Sequence, residues 1–162
     1  MCGIHEDARV WVELAGGRAQ LKKACDVRAN DSVRTPQGYV PVIYVTVTPC
    51  WTNYAELHRV GALRVAPQHP VQLDGVWCTP ATVAPRAEIV RCRALYAFAL
   101  ASVHVVIADG VPCLGVGGGG TGDAAVDAVC AQPVWNPSFR RRLLGLADPH
   151  TGHCDLSLLR AA

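Results

Sequence analysis

The chain predicts an all-β fold across its first 115 residues, on three observations. Short runs rich in Val, Ile, Thr and Tyr recur, as pleated strands require. Gly-Gly or Asp-Gly pairs separate several of these runs, supplying the left-handed conformations of tight hairpin turns. Prolines at 36, 41, 49, 67, 70, 80, 85 and 112 leave little room for helices, because each removes a donor and fixes φ.

Taken along the chain, Val10–Leu14 and Arg18–Leu21 flank Gly16-Gly17 and read as a hairpin. Leu21–Val27 leaves space for a short helical turn. Tyr39–Thr48 is a long run of β-branched and Tyr residues broken only by Pro41, and reads as one or two strands. Gln72–Trp77 carries Asp74-Gly75 at its centre, and Val105–Val111 carries Asp109-Gly110; both read as hairpins. Pro80–Val83 suits a second helical turn. The apolar run Ala94–Ala108 is about 15 residues, shorter than the roughly 20 that span a bilayer, and reads as a buried strand pair.

Gly117-Gly118-Gly119-Gly120-Thr121-Gly122 then breaks the pattern. No Lys-Ser/Thr follows it, so it reads as a flexible connector and not as a phosphate loop. Asp123–Cys130 and Phe139–Leu146 suit short helices, and Asp148–Gly152 suits a turn. The expected organisation is a β core over 1–116, a Gly-rich connector over 117–122, and a C-terminal extension over 123–162 packed on that core.

Composition narrows the function. With 162 residues, 51% apolar and 17% charged, the chain can bury one sizeable core. A net charge of +2, with Arg140-Arg141-Arg142 as the only basic run, points away from nucleic acid. His5, Glu6, Asp7 and Arg9 occupy the place where a signal peptide needs an apolar stretch. No membrane partner is expected, and the cytoplasm is the expected location. The eight cysteines form no Cys-x-x-Cys pair, which argues against a zinc ribbon or a thioredoxin-type site. Free thiols, several of them serving as small core residues, are expected. His150-Thr151-Gly152-His153-Cys154 offers metal donors but no fourth ligand, so neither metal nor cofactor is expected.

Cys2 is the strongest candidate for chemistry. A thiol at the very start of a strand can add to the carbonyl of the preceding residue, provided an imidazole protonates the departing amide nitrogen. His69, in Ala66-Pro67-Gln68-His69-Pro70, lies between prolines that restrict its backbone and suits that role. His104, in Ser102-Val103-His104-Val105-Val106, reads as a buried strand residue, with Cys2 or Asp31 as its expected partner. If Met1 initiates translation the bond upstream of Cys2 is trivial; the chain is therefore expected to be a domain cut from a longer protein.

These residues together resemble the Hint superfamily, the self-processing domains shared by hedgehog C-terminal regions and inteins, and most of all its Vint subgroup. Cys2 with Val10–Leu14 resembles the opening block. Asn30–Gly38 resembles a Gly-Asp-x-Val-x-Thr-x-x-Gly stretch with Asn30 at its first position. Leu63–Leu73 resembles the block with Thr-x-x-His, and Tyr96–His104 followed by Asp109–Cys113 resembles the last block. Leu146–Gly152 resembles the subgroup's C-terminal part. The resemblance implies a flattened, horseshoe-like β fold with pseudo-twofold halves. It also implies Cys2 as nucleophile, His69 as proton donor and His104 as an assisting histidine.

The implied substrate is the chain's own upstream polypeptide, with von Willebrand A-type or ubiquitin-related domains in the parent protein. Three departures stand out: Ala66 replaces the Thr of Thr-x-x-His, Ala97 an Asp, and Val116 the His of Gly-His-Gly. The His-Asn pair that inteins use for Asn cyclisation is missing from the sequence. Expectation therefore falls on an N-to-S acyl shift at Cys2 and release of the thioester, without splicing. The alternative is a lapsed Hint-like domain that serves as an interaction module. A cysteine-rich metal-binding protein fits the spacings less well.

Overall fold

A computed structural model describes residues 2–116 and 137–159, together with 124 and 128. The Gly-rich connector and most of the Asp123–Cys130 segment lie outside the described residues. The fold is all-β, as the sequence predicts.

A short first strand, β1 (Ile4–His5), precedes the hairpin of β2 (Arg9–Glu13) and β3 (Ala19–Lys23). In β2 exposure alternates, with Val10 and Val12 buried and Trp11 facing out, the period of a half-buried strand. A 3-10 turn at Ala24–Asp26 occupies the expected helical position. Next come β4 (Ser32–Thr35) and the 12-residue β5 (Gly38–Pro49). The β-branched run is thus one strand, and Pro41 is tolerated within it. Then follow β6 (Tyr54–Val60), β7 (Leu63–Val65), β8 (Val71–Leu73) and β9 (Val76–Cys78). Asp74 and Gly75 both take positive φ between β8 and β9, the turn their chemistry favours. The helical turn α1 (Pro80–Val83) leads into β10 (Ala87–Arg91) and β11 (Ala94–Leu100). A second Asp-Gly turn, again with positive φ at both residues, joins β12 (Val105–Ala108) to β13 (Val111–Leu114). The tail adds α2 (Pro137–Leu146), β14 (His153–Asp155) and a 3-10 turn at Leu156–Leu159.

The strands form one continuous ladder, β10-β6-β7-β1-β11-β5-β4-β2-β12-β13-β8-β9. Two strands branch from it: β3 on β2, and β14 parallel to β5. β5 is the hinge of this layout. Its first residues pair with β4 and its remainder with β11, so one strand serves both halves.

The run Ala94–Ala108 is two strands, but they are not partners. β11 pairs with β1 and β5, whereas β12 pairs with β2 and β13. Residues 101–104 bend between them, carrying the chain from one half to the other. His104 sits in that bend and is exposed, contrary to the buried strand position expected for it. Periodicity does not reveal where a long apolar run leaves one sheet partner for the next. Asp31, its other expected partner, instead bonds Lys22 Nζ at 3.1 Å and the Arg28 N–H at 2.9 Å.

Candidate functional site

Cys2 occupies a crowded corner of the ladder. The strand it leads lies between two others: Ile4 is opposite Tyr96 of β11 on one side and Val65 of β7 on the other. One residue earlier, the Gly3 carbonyl accepts the Ala66 N–H at 3.0 Å. Gly3 has φ of 136°, and a Cβ there would stand 2.8 Å from the Leu95 Cβ. Only glycine fits that backbone and that space, so Gly3 sets the direction in which Cys2 leaves the ladder.

His69 reaches the same corner from the turn after β7. The His69 N–H donates to the Ala66 carbonyl at 3.1 Å, closing a four-residue turn directly against the Gly3–Ala66 bond. Its imidazole is 1% exposed and hydrogen-bonds the Leu114 main chain. Leu114 in turn donates its N–H to the Pro70 carbonyl at 2.9 Å. Cys2, half-buried, packs on the apolar cluster that contains Leu114, Val116, Ala97 and Ala99. Gly3, next to Cys2, bonds Ala66, the residue that also closes the His69 turn, and Leu114, the main-chain partner of His69, belongs to the cluster on which Cys2 packs.

Burial sets the electrostatics of His69. Desolvation pushes its pKa from the ordinary 6.5 down to about 4, against the smaller opposing effect of the Leu114 bond. At neutral pH the ring is therefore neutral, and once protonated it is a strong acid.

His104 enters the corner by its backbone alone. Its carbonyl accepts the Gly115 N–H at 2.6 Å, while the Val116 N–H donates to the Phe98 carbonyl at 2.8 Å. Gly115 is needed for this approach, because a Cβ there would lie 2.8 Å from the Phe98 carbonyl oxygen. Ala66, where the resemblance leads one to expect Thr, is fully buried among Leu57, Leu95, Cys50 and Cys92.

Sequence reasoning missed Thr46. Its buried hydroxyl bonds the Ala97 carbonyl at 3.3 Å, and it lies opposite both Ala97 and Cys154 in the ladder. In the sequence it is one more β-branched residue of β5, so nothing marks its hydroxyl as distinct. The tail's histidines do not converge on a metal: His153 Nε2 is 2.7 Å from the Val27 carbonyl, Cys154 is buried against the Leu143 carbonyl, and His150 is exposed. A shallow cleft bounded by Arg9, Trp11, Leu21, Arg34 and Asp109 lies on the β2–β3–β12 face and holds no nucleophile.

This ladder, with its first strand slotted between β7 and β11, defines a Hint/intein-like domain, a class consistent with self-processing. The chain is similar to the crystal structure of the gp41-1 intein, with TM-score 0.51 and 11% identity, over 70% of this chain and 98% of that one. It also matches the solution structure of a bacterial intein-like domain from Clostridium thermocellum, with TM-score 0.49 and 13% identity, over 70% of this chain and 97% of the other. The family model Vint, a Hint-domain, matches residues 4–134, and the chain belongs to that family. Cys2 precedes the matched span and β14 follows it. No curated protein matches the chain.

Proposed function

We propose that this domain cleaves its own upstream peptide bond through an N-to-S acyl shift at Cys2. The Cys2 sulfur attacks the carbonyl carbon of residue 1, a C–S bond forms, and the C–N bond to Cys2 breaks. The thiol proton travels through His69 to the Cys2 nitrogen, so the protons balance within one residue. Water or another nucleophile then cleaves the thioester. No His-Asn dipeptide occurs in the sequence, which supports cleavage without splicing.

Two links between the neighbourhoods of Cys2 and His69 support this reading: the Gly3–Ala66 bond beside the His69 turn, and Leu114, bonded by His69, in the cluster on which Cys2 packs. A neutral imidazole is the form that accepts a thiol proton. The same desolvation makes the imidazolium an able donor to the leaving nitrogen. His104 supports the corner through its carbonyl, and its exposed ring takes no proton in this scheme.

The test is a folded reporter fused upstream of Cys2 and incubated with dithiothreitol or hydroxylamine. Free reporter is expected from the parent domain and none from Cys2→Ala. His69→Ala should slow release by about 10²–10⁴-fold, the usual worth of a positioned acid–base group. His104→Ala should change it by only a few-fold. An intact parent fusion would end this proposal. It would leave the second reading, a lapsed domain acting as an interaction module, which the methyl group of Ala66 at the hydroxyl position favours.

A further inference from the structure

Away from the Cys2–His69 corner, three buried ligating side chains converge. His5 and Glu6 lie at the far end of β1, and Cys92 lies in the turn between β10 and β11. One donor atom from each stands within 4.8 Å of the other two. Cys50 lies in the same buried cluster as Cys92. We propose that His5, Glu6 and Cys92 form a binding site for a divalent cation of the zinc class.

The donor set selects the ion. Calcium and magnesium need several oxygen ligands, and one carboxylate does not supply them. A sulfur, an imidazole nitrogen and a carboxylate oxygen are the ligands of zinc and of its spectroscopic substitute cobalt. Charge agrees: a Cys92 thiolate and the Glu6 carboxylate carry two negative charges and His5 none, so a divalent ion gives a neutral buried site.

Each ligand is held by bonds that fix its position, the Cys92 thiol donating to the Ala94 carbonyl at 3.1 Å until its proton is lost. His5 Nε2 lies 2.8 Å from the Arg91 carbonyl, and Nδ1 accepts the Asp7 N–H at 3.0 Å. Ligation through Nδ1 takes over the Asp7 bond, and the Nε2–H bond to the Arg91 carbonyl keeps the ring oriented. Glu6 Oε1 accepts the Arg93 N–H at 2.7 Å, a bond that can persist. Oε2 is held by the Arg93 guanidinium at 2.8 Å. The Arg93 side chain is 72% exposed and that of Glu6 only 9%, so arginine is the partner that leaves for water while the carboxylate stays. Binding forms the metal–sulfur and metal–oxygen bonds and releases the Cys92 thiol proton to solvent, so affinity rises with pH. Water completes the coordination.

The test is a Co²⁺ titration of the full chain, and it does not depend on whether Cys2 cleaves anything. One equivalent should produce a thiolate-to-cobalt charge-transfer band, which Zn²⁺ then bleaches. Cys92→Ser should abolish the band, with far-ultraviolet circular dichroism reporting that the variant folds. Arg93→Ala removes an exposed side chain and its competing charge, and it should tighten binding several-fold. That variant keeps the proposal testable even if Cys92→Ser fails to fold. The proposal is overturned by any of three results: no saturable band, a band that survives in folded Cys92→Ser, or unchanged or weaker binding in Arg93→Ala.

Discussion

His69 shows how much one residue's environment decides. A histidine between two prolines is legible in the sequence, and so is the suitability of an imidazole for proton transfer. Its neutrality is not, because that comes from complete burial. Burial also ties His69 to stability. Its folded-state pKa of about 4 lies below the unfolded 6.5, so the unfolded chain binds a proton first as the pH falls. The stabilisation is therefore complete above about 6.5 and lost progressively toward about 4, by up to roughly 3 kcal/mol at 1.36 kcal/mol per unit. Urea denaturation across this window should show the slope in the parent chain, and His69→Gln should flatten it. Equal slopes in both would refute the assignment. His104 is the opposite case, an apolar neighbourhood in sequence that becomes an exposed bend in space.

At the scale of elements, the hairpins were legible because their turn residues are chemically committed. Asp74-Gly75 and Asp109-Gly110 both adopt the positive φ that those residue types tolerate. The two-residue β1 carries no such signal; it exists because β7 and β11 leave a slot between them. Gly3 is its decisive residue. Gly3→Ala places a Cβ 2.8 Å from Leu95 in a backbone conformation that L residues rarely adopt. We expect a loss of about 1–3 kcal/mol by chemical denaturation, the usual cost of such strain, and slower reporter release because the direction of Cys2 changes. A variant as stable and as active as the parent would show that Gly3 does not set that direction.

Across the whole molecule, the tail belongs to the same packing unit as Cys2. β14 extends the ladder alongside β5, and Leu143 and Cys154 share an apolar cluster with Ala97, Leu114 and Val116, against which Cys2 packs. Leu143 is 1% exposed. Leu143→Ala should cost about 2–5 kcal/mol, as buried leucine truncations do, and should also slow release from the upstream fusion. Destabilisation with cleavage unchanged would separate the tail from the site. The sequence hinted at a helix here but not at the strand, since three residues, His153–Asp155, carry no usable alternation.

The sequence by itself determined the all-β class and the hairpin turns. Both follow from local chemistry: a φ preference and a removed N–H. Only the tertiary structure decided which strands are partners, that His104 faces solvent while His69 does not, and that His5, Glu6 and Cys92 meet. Those facts depend on contacts between residues some 60 to 90 positions apart, such as Gly3 with Ala66 and Glu6 with Arg93. Burial and register are properties of the closed ladder, and no local stretch of sequence carries them.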